Sequence, residues 1–315
     1  MRYVLAPLAD FTDAPFRLMC FRGGADAAYT EMVSAAALFH GHDATRRLLE
    51  TMPGEGPVGC QLFGSVPGEL EFAAKLVEAT GRFSEVNLNA GCPMQRITRS
   101  GAGAKLVESP EKVYSLLRAM TGAVKMPVTL KTRLGPRPDR VAVFELVDAA
   151  ERAGCAGVVI HARFTSEMHS GPLHLDLLAD AVSRTRLPVT GNGSVVDAAS
   201  ARRMAETGVK AIMVGRAALA KPWIFSVLKG LECGHDPVAA CREHLGLILD
   251  YHDMLVKGKS YSHLPSRDAF AAIKMHTHLF RYFSGRPGAA ALRARLSAVR
   301  TLDDVEREIA SCNFG

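Results

Sequence analysis

The sequence predicts an α/β fold, a (β/α)8 TIM barrel over residues 1–225 followed by a smaller all-helical domain over residues 226–315. Three observations predict it. Eight short runs rich in Val, Ile, Leu and Ala recur up to residue 215. Amphipathic stretches separate them, the alternation that builds a parallel sheet wrapped in helices. Past residue 225 no strand-like run follows, and the remaining segments carry helical patterning.

The expected strands, in order, are "YVLAP" (3–7), "AAYTEMV" (27–33), "PVGCQLF" (57–63), "EVNLN" (85–89), "PVTLKTR" (127–133), "GVVIH" (157–161), "PVTGN" (188–192) and "AIMVG" (211–215). Several lack clean polar alternation, as parallel strands covered on both faces do. Helices are expected near 14–22 and 34–50, then at 66–80, 110–122, 139–154, 176–185 and 197–207. The one at 110 opens on Pro110–Glu111, a favourable first turn. The C-terminal helices are expected at 237–256, 266–284, 288–298 and 301–311. A doubly wound sheet is the structural alternative. Eight units without a complete glycine fingerprint after the first strand favour the barrel.

The 315 residues are 48% hydrophobic and 22% charged, ample for a core. No run of 18 apolar residues occurs, so no membrane span is expected. "MRYVLAPLAD" has neither the apolar stretch nor the cleavage site of a signal peptide. The seven cysteines are scattered without a C-x-x-C pair. That argues against a disulfide framework or a metal site and for a cytoplasmic location. A net charge of +6 is compatible with an anionic partner without requiring one. A monomer is the expected state.

Barrels of this kind place their chemistry at the C-terminal ends of the strands. Here those ends carry Pro7, Glu31, Gln61, Asn87, Asn89, Lys131, Arg133, His161, Arg163, Asn192, Gly215 and Arg216. Stability alone would be served by apolar residues, so the pooled set indicates a polar, cationic site. "GNGSV" (191–195) and "VGRAAL" (214–219) each set glycine just past a strand, at the opening of an expected helix. Backbone N–H groups there suit a phosphate, and Arg216 adds a charge-assisted contact. Two ordinary glycine turns are the simpler reading. Lys131 could set positive charge beside a flat cofactor ring, with Gln61 on the ring edge. Equally, Lys131 could form an internal ion pair with Glu31. "GNGSVV" and "GAGAKL" stop short of G-x-G-x-x-G, so a Rossmann-type dinucleotide site is not indicated.

"NLNAGCPMQR" (87–96) sets Cys92 on a tight turn after a strand. A thiol there is either a small buried filler or a placed acid. Cys20, Cys60, Cys155, Cys233, Cys241 and Cys312 take the filler reading.

Blocks along the whole chain resemble the tRNA-dihydrouridine synthase family. They are "LAPLADFTDAPFR" (5–17), "TEMVSA" (30–35), "QLFGSVP" (61–67), "NLNAGCP" (87–93), "GAGAKLVESPEKV" (101–113), "VTLKTRLG" (128–135), "VVIHARF" (158–164), "GNGSV" (191–195) and "VGRAALAKPWIF" (214–225). The resemblance implies a bound FMN and reduction of the C5–C6 double bond of uridines in tRNA. NADPH or NADH would act as the transient reductant. It implies that Pro7, Leu8 and Ala9 line the flavin ring, and that Gln61, Lys131 and His161 contact FMN. It gives the phosphate end to Asn192, Gly193, Ser194, Gly215 and Arg216. Cys92 matches the catalytic acid, and Asn89 is expected beside the target base. An ordinary thiol is mostly protonated at neutral pH and can serve as that acid.

Five positions depart from the family pattern. Arg96 replaces a usual lysine, Ala162 a glycine, Phe164 a threonine and Ser194 an aspartate. Met275 also stands where a lysine commonly precedes the histidine.

RNA would meet the C-terminal domain. From Lys257 to Arg300 there are nine Lys or Arg and one acidic residue, Asp268. Lys274, His278 and Arg281 fall on one helical face, and Arg293 and Arg295 continue the basic run. With Arg96, Arg163 and His276, Lys274 and Arg281 are the expected RNA contacts. His276 and Tyr282 could instead be core residues, and the whole run could be a solvated surface. Rival readings are a dihydroorotate dehydrogenase-like reductase of a small pyrimidine, the same reduction on another structured RNA, an RNA-binding barrel without catalysis, and a lyase using Lys131 as a Schiff base.

Overall fold

A computed structural model describes residues 1–231, 236–258, 261, 264–284, 289–296 and 298–311. Cys233 and Cys312 lie outside the described residues. Nine parallel strand segments form one sheet: β1 Arg2–Leu5, β2 Ala27–Tyr29, β3 Val33–Ser34, β4 Val58–Phe63, β5 Glu85–Ala90, β6 Val128–Arg133, β7 Gly157–His161, β8 Val189–Asn192 and β9 Ala211–Val214. The pairing order is β2-β1-β9-β8-β7-β6-β5-β4-β3, and β2 also pairs with β4, which closes the ring. The sheet is therefore an eight-stave barrel in which β2 and β3 share one stave.

The expected second strand, 27–33, is broken at Thr30–Met32 for a physical reason. The Thr30 hydroxyl accepts from the Gln61 N–H (3.1 Å) and donates to the Glu31 carbonyl (2.7 Å), replacing ladder bonds. The Glu31 carboxylate meanwhile accepts the Asp10 N–H (2.5 Å). The other strands fall within two residues of their expected ends.

The helix expected over 34–50 is split into Ala35–Phe39, Asp43–Arg46 and a 3-10 turn at Arg47–Leu49. Gly41, at φ +75°, ends the first piece. The remaining barrel helices are Ala14–Arg22, Pro67–Ala79, Pro110–Ala123, Val143–Arg152, Leu175–Ser183 and Ala198–Ala205. Each buries its apolar stripe against the strands. Val113, Leu116, Leu117 and Met120 are fully buried on one helix, Leu70, Ala73, Ala74 and Val77 on its neighbour. Short helices at Gln95–Thr98 and Ile224–Leu228 escaped the sequence reading, being too short to show a period.

The Ile224–Leu228 helix packs with the barrel core, and Tyr3 Oη donates to the Leu228 carbonyl (3.1 Å). Among the described residues four further helices follow: Pro237–Lys257, Arg267–Phe283, Ala289–Leu296 and Leu302–Ser311. Their core is shared with the barrel, because Ala14, Leu18 and Met19 of the first barrel helix are buried in it. The helical part is thus seated on one side of the barrel rather than tethered to it. Among the described residues no helix is long and apolar enough to cross a membrane.

Leu88 is fully buried on β5, the stave that carries the cysteine loop. Leu88→Ala should lower the unfolding free energy by about 2–5 kcal/mol in urea denaturation, through lost transfer energy and an unfilled cavity.

Candidate active site

The barrel interior contains an oriented chain of polar side chains. The Asn89 carboxamide oxygen accepts the Gly91 and Cys92 N–H groups, both at 3.0 Å. Its amide nitrogen must then face the other way, and it donates to Gln61 Oε1 (2.7 Å). Gln61 Nε2 donates to Asn87 Oδ1 (2.7 Å), and Asn87 Nδ2 to Thr129 Oγ1 (2.9 Å). Thr129 donates to the Glu85 carboxylate (2.9 Å), which also accepts the Tyr29 hydroxyl. Every direction is set from both ends, so the amides cannot flip without orphaning a buried partner.

The loop after β5 is held from its outer side as well. Arg133 is 1% exposed. Its Nε donates to the Gly91 carbonyl (2.8 Å), and its Nη1 donates to the carbonyls of Phe164 (3.1 Å) and Met168 (2.8 Å). The Cys92 carbonyl accepts the Ala104 N–H (2.8 Å). Gly103 allows that approach: its φ is +59°, and a Cβ there would stand 2.6 Å from the Cys92 carbonyl oxygen. Cys92 is half-buried and faces a cavity of about 510 Å³ at the barrel mouth.

That cavity gathers residues from most staves. Pro7, Leu8, Ala9, Gln61, Asn89, Cys92, Lys131, His161 and Arg163 line it, with Asn192, Gly193, Ser194, Gly215, Arg216 and Arg281. Among the described residues, no carboxylate lines it. Of the two readings of Lys131, the ion pair with Glu31 does not form: Lys131 Nζ donates to Asn192 Oδ1 (3.3 Å), whose own Nδ2 donates to the Met213 carbonyl (2.9 Å). Burial, then the neighbouring Arg133, pull the Lys131 pKa down to about 8. Burial also drives His161 far below the usual imidazole range, with Lys131, Arg133 and Arg163 adding to it. His161 is therefore a neutral donor or acceptor at pH 7 beside Lys131, Arg133 and Arg163, of which the two arginines also feel the Glu167 carboxylate outside the cavity lining. Such a site favours an electron-rich or anionic ligand.

Arg163 ties the loops together. It donates to the Gly171 carbonyl (2.6 Å) and to Ser194 Oγ (2.8 Å) and lies 3.3 Å from His161 Nε2. Ser194, at φ +48°, and Gly193, at φ +134°, form a strained turn. A Cβ on Gly193 would meet Leu173 at 2.6 Å and His161 at 3.2 Å. The turn does not itself open a helix, as the sequence suggested. The helix starts at Ala198, and its N-terminus is capped by Asp197, which accepts the Ser200 N–H (2.7 Å). A phosphate at this end would meet the turn and Arg163. Gly215, by contrast, directly caps the short helix Arg216–Ala220.

A family model described as "Dihydrouridine synthase (Dus)" matches residues 4–313. The tRNA-dihydrouridine synthase B of Yersinia pestis is 33% identical over 265 residues, 82% of this chain and 82% of that protein. The chain belongs to the dihydrouridine synthase family. It is accordingly an oxidoreductase. The tRNA-dihydrouridine synthase B of Klebsiella pneumoniae is 35% identical over 225 residues, 71% of this chain and 70% of that protein. A probable tRNA-dihydrouridine synthase of Rhodobacter capsulatus is 36% identical over 222 residues, 70% of this chain and 68% of that protein.

For a dihydrouridine synthase the expected RNA-contact residues are unevenly placed. Arg281 is exposed at the cavity mouth, its guanidinium 5.5 Å from the centre of the Phe11 ring. Arg96 is exposed on the Gln95–Thr98 helix, outside the cavity lining, and His276 is exposed on Arg267–Phe283. Lys274 is not free to meet phosphate: its Nζ sits 3.0 Å from Asp13 Oδ2 at the junction of barrel and helical part. His278 is 1% exposed and Met275 fully buried. The helical periodicity of Lys274, His278 and Arg281 is real, but Lys274 and His278 are carried inward with Phe270, Ala271, Met275, Leu279 and Tyr282, and Arg281 alone of the three stays exposed.

Two contributors had weak sequence signals. His169 lines the cavity from the loop after β7, its ring 6.0 Å from that of His161. It falls in no periodic segment. The anchoring role of Arg133 appears only when the loops after β5 and β7 are both in place.

The depressed Lys131 pKa has a measurable consequence. Unfolded protein keeps that proton up to about pH 10.5, whereas folded protein releases it near 8. Between those values the unfolded state binds more protons, so stability rises with pH. Burial raises the thiol pKa values of Cys20, Cys60 and Cys155, which lowers stability as pH rises above 9. The Lys131 contribution is therefore read as the difference between ligand-stripped protein and a Lys131→Met variant in urea denaturation. That difference should show the rise, and a bound anion should flatten it.

Proposed function

We propose that the chain reduces specific uridines in tRNA to dihydrouridine, using bound FMN, with NADPH or NADH as reductant and Cys92 as general acid. The supporting observation is that Cys92 faces a cavity whose lining is cationic and, among the described residues, free of carboxylates. FMN fits that donor set. Its ring would lie on Pro7, Leu8 and Ala9, with Gln61, Lys131 and His161 at its polar edge. Its phosphate would take Asn192, Gly193, Ser194, Gly215 and Arg216, with Arg163 bracing the turn. Bound and reduced, FMN supplies hydride to the C5–C6 double bond of the base.

The protein's own residues do the rest. Lys131, with its Asn192 partner, holds positive charge against an electron-rich ring. Neutral His161 offers hydrogen bonding without adding charge. Asn89 would bond the base while its carbonyl oxygen fixes the Cys92 turn. The Cys92 thiol gives its proton to the carbon next to the one that receives hydride, and solvent restores it. Arg281, Arg96 and His276 are the surface groups proposed to meet RNA, and the target base must leave its stack to reach the cavity. Lys274 is assigned instead to the junction with Asp13. The names of the relatives support tRNA as substrate, and a monomeric, cytoplasmic protein is the matching setting. A small-molecule pyrimidine reductase would give no role to Arg281 at the mouth.

Purified protein should be yellow and release FMN on denaturation. Cys92→Ala should keep flavin reduction by NADPH nearly unchanged and lose roughly 10²–10⁴-fold in base reduction in single-turnover assays. Full RNA activity in that variant would remove Cys92 as the acid. Mapping dihydrouridine in RNA from cells with and without the gene identifies the substrate; unchanged RNA would refute the tRNA assignment.

A further inference from the structure

A second cluster of chemically capable side chains lies away from the cavity, where the helical part meets the barrel. Asp13 caps the Ala14–Arg22 helix, His244 lies on Pro237–Lys257 and His278 on Arg267–Phe283. One donor atom from each lies within 4.8 Å of the others, and all three residues are buried. Among the described residues, both ring nitrogens of His278 and Nε2 of His244 have no hydrogen-bond partner. Three orphaned nitrogens in one buried spot are expensive, since each unmet polar atom costs about 1–3 kcal/mol. Aromatic packing by Phe11 and Phe16 holds the His278 ring but offers its nitrogens no conventional partner.

We propose that Asp13, His244 and His278 form a binding site for a divalent transition-metal ion of the zinc class, which fastens the helical part to the barrel. The donor set is two imidazoles and one carboxylate, a combination suited to zinc with a fourth position left for water. His244 Nδ1 lies 3.3 Å from the Tyr282 hydroxyl, which leaves Nε2 as the ligating atom and supplies the outer partner that metal-bound histidines need. Burial keeps both imidazoles neutral, the form that binds metal. Donors on a tetrahedral zinc stand roughly 3.5 Å apart, so the ion would draw the side chains inward by about 1 Å.

The adverse group is Lys274, 3.0 Å from Asp13 Oδ2. Asp13 retains free lone pairs, since Oδ1 accepts only the Phe16 N–H (3.2 Å). Glu31 is close enough for Lys274 to act on its carboxyl, so a second acid shares the cation. The expectation of no metal site came from cysteine spacing. This cluster uses no cysteine, and its members are 231 and 34 residues apart in sequence.

The test uses the full-length protein, stripped with chelator and titrated with Co2+. One cobalt per chain is expected, with visible d–d bands of a four-coordinate site and no thiolate charge-transfer band. A Tyr282→Phe variant should bind about 10–100-fold more weakly. His278→Phe, which keeps an aromatic ring in the packing, should abolish stoichiometric binding. Metal content and spectrum are read without any activity assay, so the outcome is independent of the uridine reaction. Cobalt far below one per chain, a thiolate band, or binding unchanged in both variants would overturn the site. If His278→Phe fails to fold, Tyr282→Phe decides the matter.

Discussion

The site depends on how one carboxamide is held. The Asn89 oxygen takes two backbone N–H groups of the Gly91–Cys92 turn, which forces its nitrogen toward Gln61. The orientation then passes through Asn87 and Thr129 to Glu85 at the far end of the barrel. In a low-dielectric interior, a chain in which each amide oxygen and each amide nitrogen has a partner of fixed sense admits one arrangement, because any flip sets donor against donor or acceptor against acceptor. A loop that would otherwise be mobile is thereby tied to two strands of the barrel. Arg133 adds a second anchor, and Gly103 removes the Cβ that would block a third.

Charge is the other constraint. Lys131, Arg163 and Arg216 converge on a cavity without a carboxylate among the described residues, and buried His161 stays neutral. Such a lining suits a ligand that carries negative charge. The strained Ser194 backbone and the crowded Gly193 lie at the same mouth. Strain and unbalanced charge together mark the place where stability has been given up for binding.

The helical part does more than enlarge the surface. It shares a core with the first barrel helix, and it delivers Arg281 to the cavity mouth. The loop 8–13 joins the two regions physically. Leu8 and Ala9 line the cavity, Phe11 lies beneath Arg281, and Asp13 holds Lys274. Any shift of the helical part would therefore be felt within a few residues of the candidate flavin site.

The sequence by itself determined the alternation of strands and helices, because period and composition are local properties of the chain. It also determined that polar residues crowd the strand ends, because barrel geometry fixes where those ends lie. Only the tertiary structure decided which way a face points. Lys274, His278 and Arg281 share a helical face that reads as a basic surface, yet apolar neighbours turn Lys274 and His278 inward and leave Arg281 exposed. The same holds for Lys131, whose partner is Asn192 on β8 and not Glu31. Spacing along a chain shows which residues can be neighbours. Burial of the surrounding apolar surface decides which become so, and that free energy belongs to the packed molecule rather than to any segment.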